Sequence, residues 1–272
     1  MQKTRPETSQ SRNGKQKNRL SFTGLIDVAI ALAVIVGGWQ VIFWLKLYPP
    51  FLFPSPMTTL NTFVRLIRTG LLPNAIYATG SRLVAGYALV MLLGVMVGIV
   101  MVKFKRFGKT MASFGLGLQS FPSIAWVPFA ILIIGLNNYG ILFVIIMSST
   151  FSVMISVYSG LRNIPPIYMK AARNMGAKRF SLLRGVMIPA ATPSLITGMR
   201  QAWSFSWHAL IGAEMLMASV GLGAVLYFGS EFVRMDQILA SMITIFIIGL
   251  VVDRLIFFRL EQRVRSKWGL TS

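Results

Sequence analysis

Apolar runs long enough to cross a membrane recur along this chain, and they restrict its fold more than any other feature. A helix of about 20 apolar residues spans the roughly 30 Å of hydrocarbon in a bilayer. Six runs meet or nearly meet that length, and they lie near residues 24–45, 76–102, 113–135, 139–160, 190–217 and 238–258. The sequence therefore predicts an all-α, polytopic membrane protein with six transmembrane helices.

The composition agrees with a membrane protein and excludes several other classes. Hydrophobic residues make up 55% of the 272 residues, charged residues make up only 12%, and the mean hydropathy is +0.67. The formal net charge is +20, but the basic residues are scattered between the apolar runs. That distribution suits loops facing anionic membrane lipid better than it suits a nucleic-acid surface. The chain has no cysteine and one histidine, His208, which excludes a disulfide framework and a metal cluster.

The distribution of Lys and Arg predicts which side of the membrane each loop faces. Of the 27 such residues, six lie in residues 1–20, four in 103–110, six in 161–189 and five from Arg254 onward, so 21 fall on one side of six alternating spans. By the positive-inside rule these segments and both termini are cytoplasmic. The first apolar run is too long for a signal-peptide core and lacks a small-x-small cleavage site, so we interpret it as an uncleaved span.

Three regions follow from this arrangement. Residues 1–20 are polar and basic with almost nothing to bury, so we predict a disordered cytoplasmic tail. Residues 21–265 form the predicted six-helix transmembrane domain. Residues 266–272 form a predicted cytoplasmic C-terminal tail.

Two further features concern how the spans pack. After the first span, a short amphipathic helix is predicted to lie along the membrane, because four apolar residues share one helical face: Leu60, Phe63, Val64 and Ile67. In span two, Gly94 and Gly98 are four residues apart, which permits close approach of another helix.

Two spans carry polar or aromatic side chains at depths where most others are aliphatic. In span three, Pro122 and Pro128 disrupt backbone hydrogen bonds, which hydrocarbon tolerates only beside protein or a water-filled cavity. As a hypothesis, hydroxyl and indole groups here and in span five line the path of a small oxyanion, although Ser can bond its own backbone and Trp can pack between helices. The candidate path residues are Gln119, Ser120, Ser123, Trp126, Ser204, Ser206, Trp207 and His208.

Between spans four and five lies a segment that we call the basic loop, residues 161–189. Pro166 suits the first turn of a helix, and Gly176 is placed to end that helix in a left-handed conformation. A second short helix is predicted over 179–187, closed by Pro189. Apolar residues are ordered among the cations: Met169, Ala172, Met175, Phe180 and Leu183. A merely solvated loop would not need that order, so the pattern favours docking of a cytoplasmic partner.

The spacing within the basic loop carries a family resemblance. Lys170-Ala171-Ala172 is followed after three residues by Gly176, and after nine more by Val186-Met187-Ile188-Pro189. This resembles the EAA loop of ABC-importer permeases, Glu-Ala-Ala-x3-Gly-x9-Ile-x-Leu-Pro. Over about residues 50–265 the chain is similar to the nitrate/sulfonate/taurine branch. The supporting stretches are PSP at 54–56, SRLVAGYAL at 81–89, FPSIAWVPFAILIIG at 121–135, GAEML at 212–216, GLG at 221–223 and Asp253.

The resemblance implies the type I ABC importer permease fold, with a coupling helix in the basic loop, in a bacterial plasma (inner) membrane. It implies a subunit that does no covalent chemistry and binds no cofactor. Its partners would be a second permease copy forming a homodimer, two cytoplasmic ATPases that use ATP, and an extracytoplasmic solute-binding protein. The substrate would be a small anion such as a sulfonate, taurine or nitrate. The implied ATPase-coupling residues are Lys170, Ala171, Ala172, Gly176, Phe180 and Pro189.

One position departs from the family pattern. Lys170 stands where the family has Glu, which reverses the charge at the start of the coupling helix. Because the rest of the basic loop is intact, we expect a partner ATPase that differs at this contact. Weakened coupling is the alternative.

Other functions fit the sequence less well. A phosphate-binding loop ending at Thr110 would need a glycine where Lys103 stands. An intramembrane enzyme is disfavoured because His208 and Glu214 are six residues apart, about 600° of helical turn, and so lie on different faces. A gradient-driven secondary transporter or channel stays as the alternative. It usually needs ionisable groups in mid-membrane, whereas those here are expected near span ends: Asp27, Arg200, Glu214, Asp253 and Arg254.

Overall fold

The structure is a computed structural model that describes residues 22–267, and within them it contains α-helices and short turns but no strand. The helices are α1 (Phe22–Trp44), α2 (Pro56–Arg68), α3 (Leu71–Lys103), α4 (Lys105–Gln119), α5 (Trp126–Ile133), α6 (Asn138–Arg162), α7 (Pro166–Asn174), α8 (Arg179–Leu182), α9 (Ile188–Met217), α10 (Leu222–Glu231), α11 (Met235–Val252) and α12 (Arg259–Lys267). The predicted tail 1–20, and residues 268–272 of the predicted C-terminal tail, lie outside the described residues. The all-α prediction is confirmed.

Two compact units divide the chain, residues 1–50 and residues 51–272. The first unit contains α1, whose apolar segment Ile26–Trp44 has 19 residues and is long enough to cross a membrane. The second unit contains the other helices and the core described below.

Five helical segments of the described chain are long and apolar enough to be spans, and a sixth crossing is formed if one bent pair counts as a span. That pair is α4 and the segment Ser123–Ile133, which meet at 93°. It corresponds to the predicted third span, and its break coincides with Pro122, as the prolines suggested. Pro128 lies in the first turn of α5, where a helix needs no N–H donor.

The core of the second unit forms around α6, which packs against α3 on one side and α9 on another. Gly94 and Gly98 of α3 allow α3 and α6 to approach each other closely. A methyl group built on Gly94 would stand 2.5 Å from Cβ of Val153, and one on Gly98 would stand 2.6 Å from Cβ of Val157. Helices in membranes associate largely through such van der Waals packing of small residues. The predicted close approach at these glycines is therefore confirmed.

Polar side chains between these helices are paired with one another. The buried hydroxyl of Ser206 in α9 lies 2.9 Å from that of Ser149 in α6. Tyr87 of α3 donates to the carbonyl of Met199 in α9 at 3.0 Å. Such interhelical hydrogen bonds contribute about 0.6 kcal/mol each on average. They add to the glycine packing and fix the register of the helices.

Helix α2 begins with a side-chain cap, because Ser55 accepts a hydrogen bond from the Thr58 amide. Its threonine-bearing face is the buried one, and Thr62 donates to Asp236 of α11 at 2.6 Å. Of the four apolar residues predicted to share a face, Leu60, Val64 and Ile67 are exposed and Phe63 packs partly on the core. In lipid an outward apolar face costs nothing, so the outward position of three of these residues suits the predicted helix lying along the membrane.

The predicted second helix of the basic loop does not end at Pro189. Instead a continuous helical segment runs from Phe180 to Met217. A wider π turn over Leu183–Met187 precedes α9, and the amide of Ile188 bonds the carbonyl of Leu183, five residues back. Pro189 therefore sits in the first turn of α9, where its missing N–H breaks no bond. Helical structure therefore continues from the second half of the basic loop into the fifth span.

Candidate functional site

The first helix of the basic loop, α7, begins and ends as its sequence dictates. Pro166 occupies its first turn. At its end Gly176 has φ of +81°, its amide bonds the carbonyl of Arg173, and the amide of Ala177 bonds that of Ala172. This pair of bonds is the Schellman motif, in which a left-handed glycine ends the helix. The predicted left-handed conformation of Gly176 is confirmed.

The surface of the basic loop is both apolar and cationic. The side chain of Met175 is 87% exposed and that of Phe180 is 72% exposed, whereas Ala172 is half-buried. The cations beside them are exposed too: Lys170, Arg173, Lys178 and Arg184. No acidic residue occurs anywhere in 161–189. Water alone does not stabilise exposed Met and Phe side chains, so this surface is suited to docking on a partner with acidic groups.

A second site is a polar stripe along α9, formed by Thr197, Gln201, Ser204 and His208. The spacing of four, three and four residues places all four on one helical face, and all four side chains are exposed. They line an open cleft of about 640 Å³ between α9 and the last span. The other residues of the cleft are Arg200, Trp203, Trp207, Gly249 and Asp253.

The charges at the edge of this cleft are paired. Arg200 binds the carboxylate of Asp253 through two hydrogen bonds of 2.7 and 2.8 Å, and a third, of 3.0 Å, reaches Glu261. Arg200 lies twelve residues inside α9, so our expectation that it lies near a span end is corrected. With one cation shared by two carboxylates, the cluster offers an anion no uncompensated positive charge.

The structure divides the predicted path residues into separate groups. Ser204, Trp207 and His208 line the α9 cleft. Ser206 is instead buried against Ser149, away from the cleft. Sequence reasoning missed Thr197 and Gln201, although they lie seven and three residues before Ser204, a helical spacing that was available as a signal.

The remaining predicted path residues lie at or near the break between α4 and α5. Gln119 donates to Ser152 of α6, and Ser120 donates to the carbonyl of Gly117 at 2.7 Å. Ser123 starts the short turn that leads into α5. Trp126 packs in edge-on contact with three rings, and its buried indole nitrogen has no hydrogen-bond partner among the described residues. The three rings are those of Phe121, Phe129 and Phe143.

A buried ion pair that we did not predict holds the other end of α9. Glu214 is 0% exposed and accepts hydrogen bonds from Arg82 at 2.7 Å and from Thr79 at 2.8 Å. The amide of Gly223 also donates to it, at 3.1 Å. Gly221 has φ of +153°, and a methyl group there would lie 2.5 Å from the carboxylate. Glu214 therefore anchors the turn that leads into α10.

Arg82 is the residue from which this buried ion pair could have been predicted. It is a lone cation eleven residues inside an apolar helix, and intramembrane cations are nearly always paired. The helix that the pair supports, α10, was likewise absent from our predictions, since its ten residues are too few to span a membrane.

Comparison with known proteins agrees with this architecture. A protein of Methanocaldococcus jannaschii named as an ABC transporter permease protein is 30% identical over 82% of this chain and 85% of its own length. A protein of Bacillus subtilis named as an aliphatic sulfonates transport permease is 28% identical over 97% of this chain and 94% of its own. The nitrate import permease protein of a Synechocystis strain is 27% identical over 92% of this chain and 94% of its own.

The fold is shared with a solved transporter. A chain of the MetNI methionine ABC transporter, in an inward-facing conformation, superposes with a TM-score of 0.60 over 73% of this chain and 97% of that chain, at 18% identity. The profile of the binding-protein-dependent transport system inner membrane component family matches residues 90–266. Permeases of this family are not themselves enzymes, and membership does not support the gradient-driven alternative. The chain belongs to the family of binding-protein-dependent transport system inner membrane components and is an ABC importer permease.

Proposed function

We propose that this permease imports a small oxyanion, such as an aliphatic sulfonate, taurine or nitrate. The names of the relatives from Bacillus subtilis and Synechocystis support that substrate class. The proposed assembly contains a second copy of the chain, two cytoplasmic ATPases that use ATP and an extracytoplasmic binding protein. The basic loop and both termini face the cytoplasm, since 21 of the 27 Lys and Arg residues fall on that side.

The observation that carries the proposal is the exposed polar stripe Thr197–Gln201–Ser204–His208 on a membrane helix. Polar groups that face hydrocarbon without partners cost several kcal/mol each. Thr197 donates to the carbonyl of Pro193, but Gln201, Ser204 and His208 make no hydrogen bond within the described residues. The stripe would therefore face a water-filled passage, and pairing with a second copy across the cleft would enclose one. Hydroxyl, amide and imidazole groups can donate to an oxyanion in transit. The cluster of Arg200, Asp253 and Glu261 has a formal charge of −1, so it would not hold the anion in the passage.

The basic loop is the proposed coupling element. Its ATPase-contacting residues would be Lys170, Ala171, Ala172, Gly176, Phe180 and Pro189. Since the helical segment from Phe180 to Met217 is continuous, movement of Phe180 and the residues after it would be transmitted along that segment to the polar stripe. Closing of the two ATPases on ATP would draw the two loops together and turn the spans from inward- to outward-facing. Lys170 would meet an acidic group on the ATPase.

The path is tested by uptake into liposomes that contain the permease with its ATPase and binding protein. Replacing Ser204 and His208 together by Ala removes two hydrogen-bonding groups, each worth about 1 kcal/mol net, so uptake should fall about tenfold or more. Ser81→Ala is the matched control, because that exposed hydroxyl only bonds its own helix. Unchanged rate and substrate preference in the double variant would remove the stripe from the path.

A further inference from the structure

The turn between α3 and α4 carries cations in a fixed arrangement. α3 ends at Lys103 and α4 begins at Lys105, with Phe104 between them. The amide of Gly108 bonds the carbonyl of Phe104 at 2.8 Å, and a methyl group on Gly108 would stand 2.7 Å from the ring of Tyr158. The backbone of the turn is therefore packed tightly against α6, which keeps the backbone positions of these cations close together.

These charges are not neutralised by other parts of the described chain. Lys103, Lys105, Arg106 and Lys109 are exposed, and no ion pair involves any of them among the described residues. A fifth cation, Arg162 of α6, stands over the ring of Tyr158 at 5.4 Å. The sequence contains no acidic residue between positions 27 and 214. Five cations without a local counter-ion repel one another, so an anion bound among them stabilises the turn.

The site is apolar as well as cationic. The side chains of the turn surround an open concavity of about 720 Å³, lined by Val100, Lys103, Phe104, Lys105, Arg106 and Phe107. The rings of Phe104 and Phe107 are exposed beside the charges. An inorganic anion gains nothing from exposed phenyl rings, whereas a phospholipid offers a phosphate to the cations and apolar chains to the rings.

An apolar track continues from this concavity along α3. Val100, Met96, Leu93 and Leu89 are spaced by four, three and four residues, so they share one face, and all four are exposed. The track runs from the charged turn into the span, in the direction that an acyl chain takes from its headgroup. An acidic peptide or a nucleic acid would fit the cations but would leave this track uncovered.

We propose that the turn between α3 and α4, with Arg162, binds the headgroup of an anionic phospholipid whose acyl chain lies along α3. Each Lys or Arg residue beside a membrane strengthens binding to anionic lipid by about fivefold. The inference is independent of what the permease transports. The cations in 103–109 would then bind a ligand as well as help to set the orientation of the spans.

The test measures binding of palmitoyl-oleoyl phosphatidylglycerol to the full-length permease in its native assembly, by native mass spectrometry in a neutral detergent. Phosphatidylcholine with the same chains is the neutral comparison. We expect phosphatidylglycerol to bind at least tenfold more tightly. Replacing Lys103, Lys105 and Arg106 together by Gln should weaken it about a hundredfold and leave phosphatidylcholine unaffected.

A charge-matched variant controls for net charge. Replacing Arg254, Arg259 and Arg263 together by Gln removes the same three charges elsewhere, and binding should stay within threefold. Equal loss in the two triple variants, or equal binding of the two lipids by the wild type, would overturn the proposal. So would displacement of phosphatidylglycerol by an equal concentration of inorganic phosphate, which would identify a free-anion site. If a variant fails to fold, the comparison of phosphatidylglycerol with phosphatidylcholine on the wild-type protein still tests the proposal.

Discussion

Replacing Glu214 by Met is expected to destabilise the protein strongly, because it leaves the charge of Arg82 without its partner. The Glu214 side chain is 0% exposed and that of Arg82 is 15% exposed. Removing one member of a buried ion pair costs about 3–5 kcal/mol. The hydroxyl of Thr79 and the amide of Gly223 lose their acceptor as well, at about 1 kcal/mol each. A fall in Tm of about 10 °C or more follows for a unit of this size.

The double variant Glu214→Met with Arg82→Met distinguishes loss of the ion pair from simple loss of packing. Without a stranded charge, it should be more stable than Glu214→Met alone, with a coupling free energy of about 2 kcal/mol or more. Some cost will persist, since Arg82 also bonds the carbonyl of Val220 at 2.6 Å. Glu231→Met, at an exposed position, is the matched control and should change stability by about 0.5 kcal/mol or less.

Thermal unfolding of the purified variants, followed by tryptophan fluorescence in one detergent, measures these differences. The reasoning is refuted if Glu214→Met lowers Tm no more than Glu231→Met does. It is also refuted if the effects of the two Met substitutions on unfolding simply add.

Three further substitutions have definite expected outcomes. Gly176→Val should abolish ATP-driven uptake while the protein still inserts, because a left-handed backbone costs a β-branched residue at least about 1–2 kcal/mol. Normal uptake would contradict the role of Gly176 in ending α7. Gly98→Leu should lower Tm, because the added side chain collides with Val157, whereas Gly117→Leu should not, because a Cβ added there has no neighbouring atom within 4 Å; equal Tm values would contradict the close packing. Lys170→Glu should weaken stimulation of the native ATPase, measured as phosphate release, and improved stimulation would mean that Lys170 is a defect.

Much of the fold was predictable because it depends on local rules. Apolar length predicted the spans, Gly94 and Gly98 predicted a close helix contact, and the glycine before a second helix predicted the left-handed end of α7. Each of these signals lies within one segment of the sequence. The break at Pro122 belongs to the same class, although its 93° angle does not follow from proline alone.

The remaining features depend on which segments meet, and a single sequence does not encode that locally. Arg82 and Glu214 are 132 residues apart, and only their pairing explains how both are tolerated in apolar helices. The end of the second loop helix was misplaced at Pro189 because a π turn before α9 absorbs the proline. The polar stripe was predicted in part: Ser204 and His208 were identified, but burial of Ser206 depends on its contact with Ser149.

The most direct test of the account is solute uptake into liposomes that contain the permease, its ATPase and its binding protein, with ATP supplied inside or outside. The account predicts accumulation of the oxyanion only when ATP reaches the ATPase on the side of the basic loop, and none when that loop is deleted. Accumulation driven by a proton or sodium gradient without the ATPase, or uptake that survives deletion of the basic loop, would contradict it.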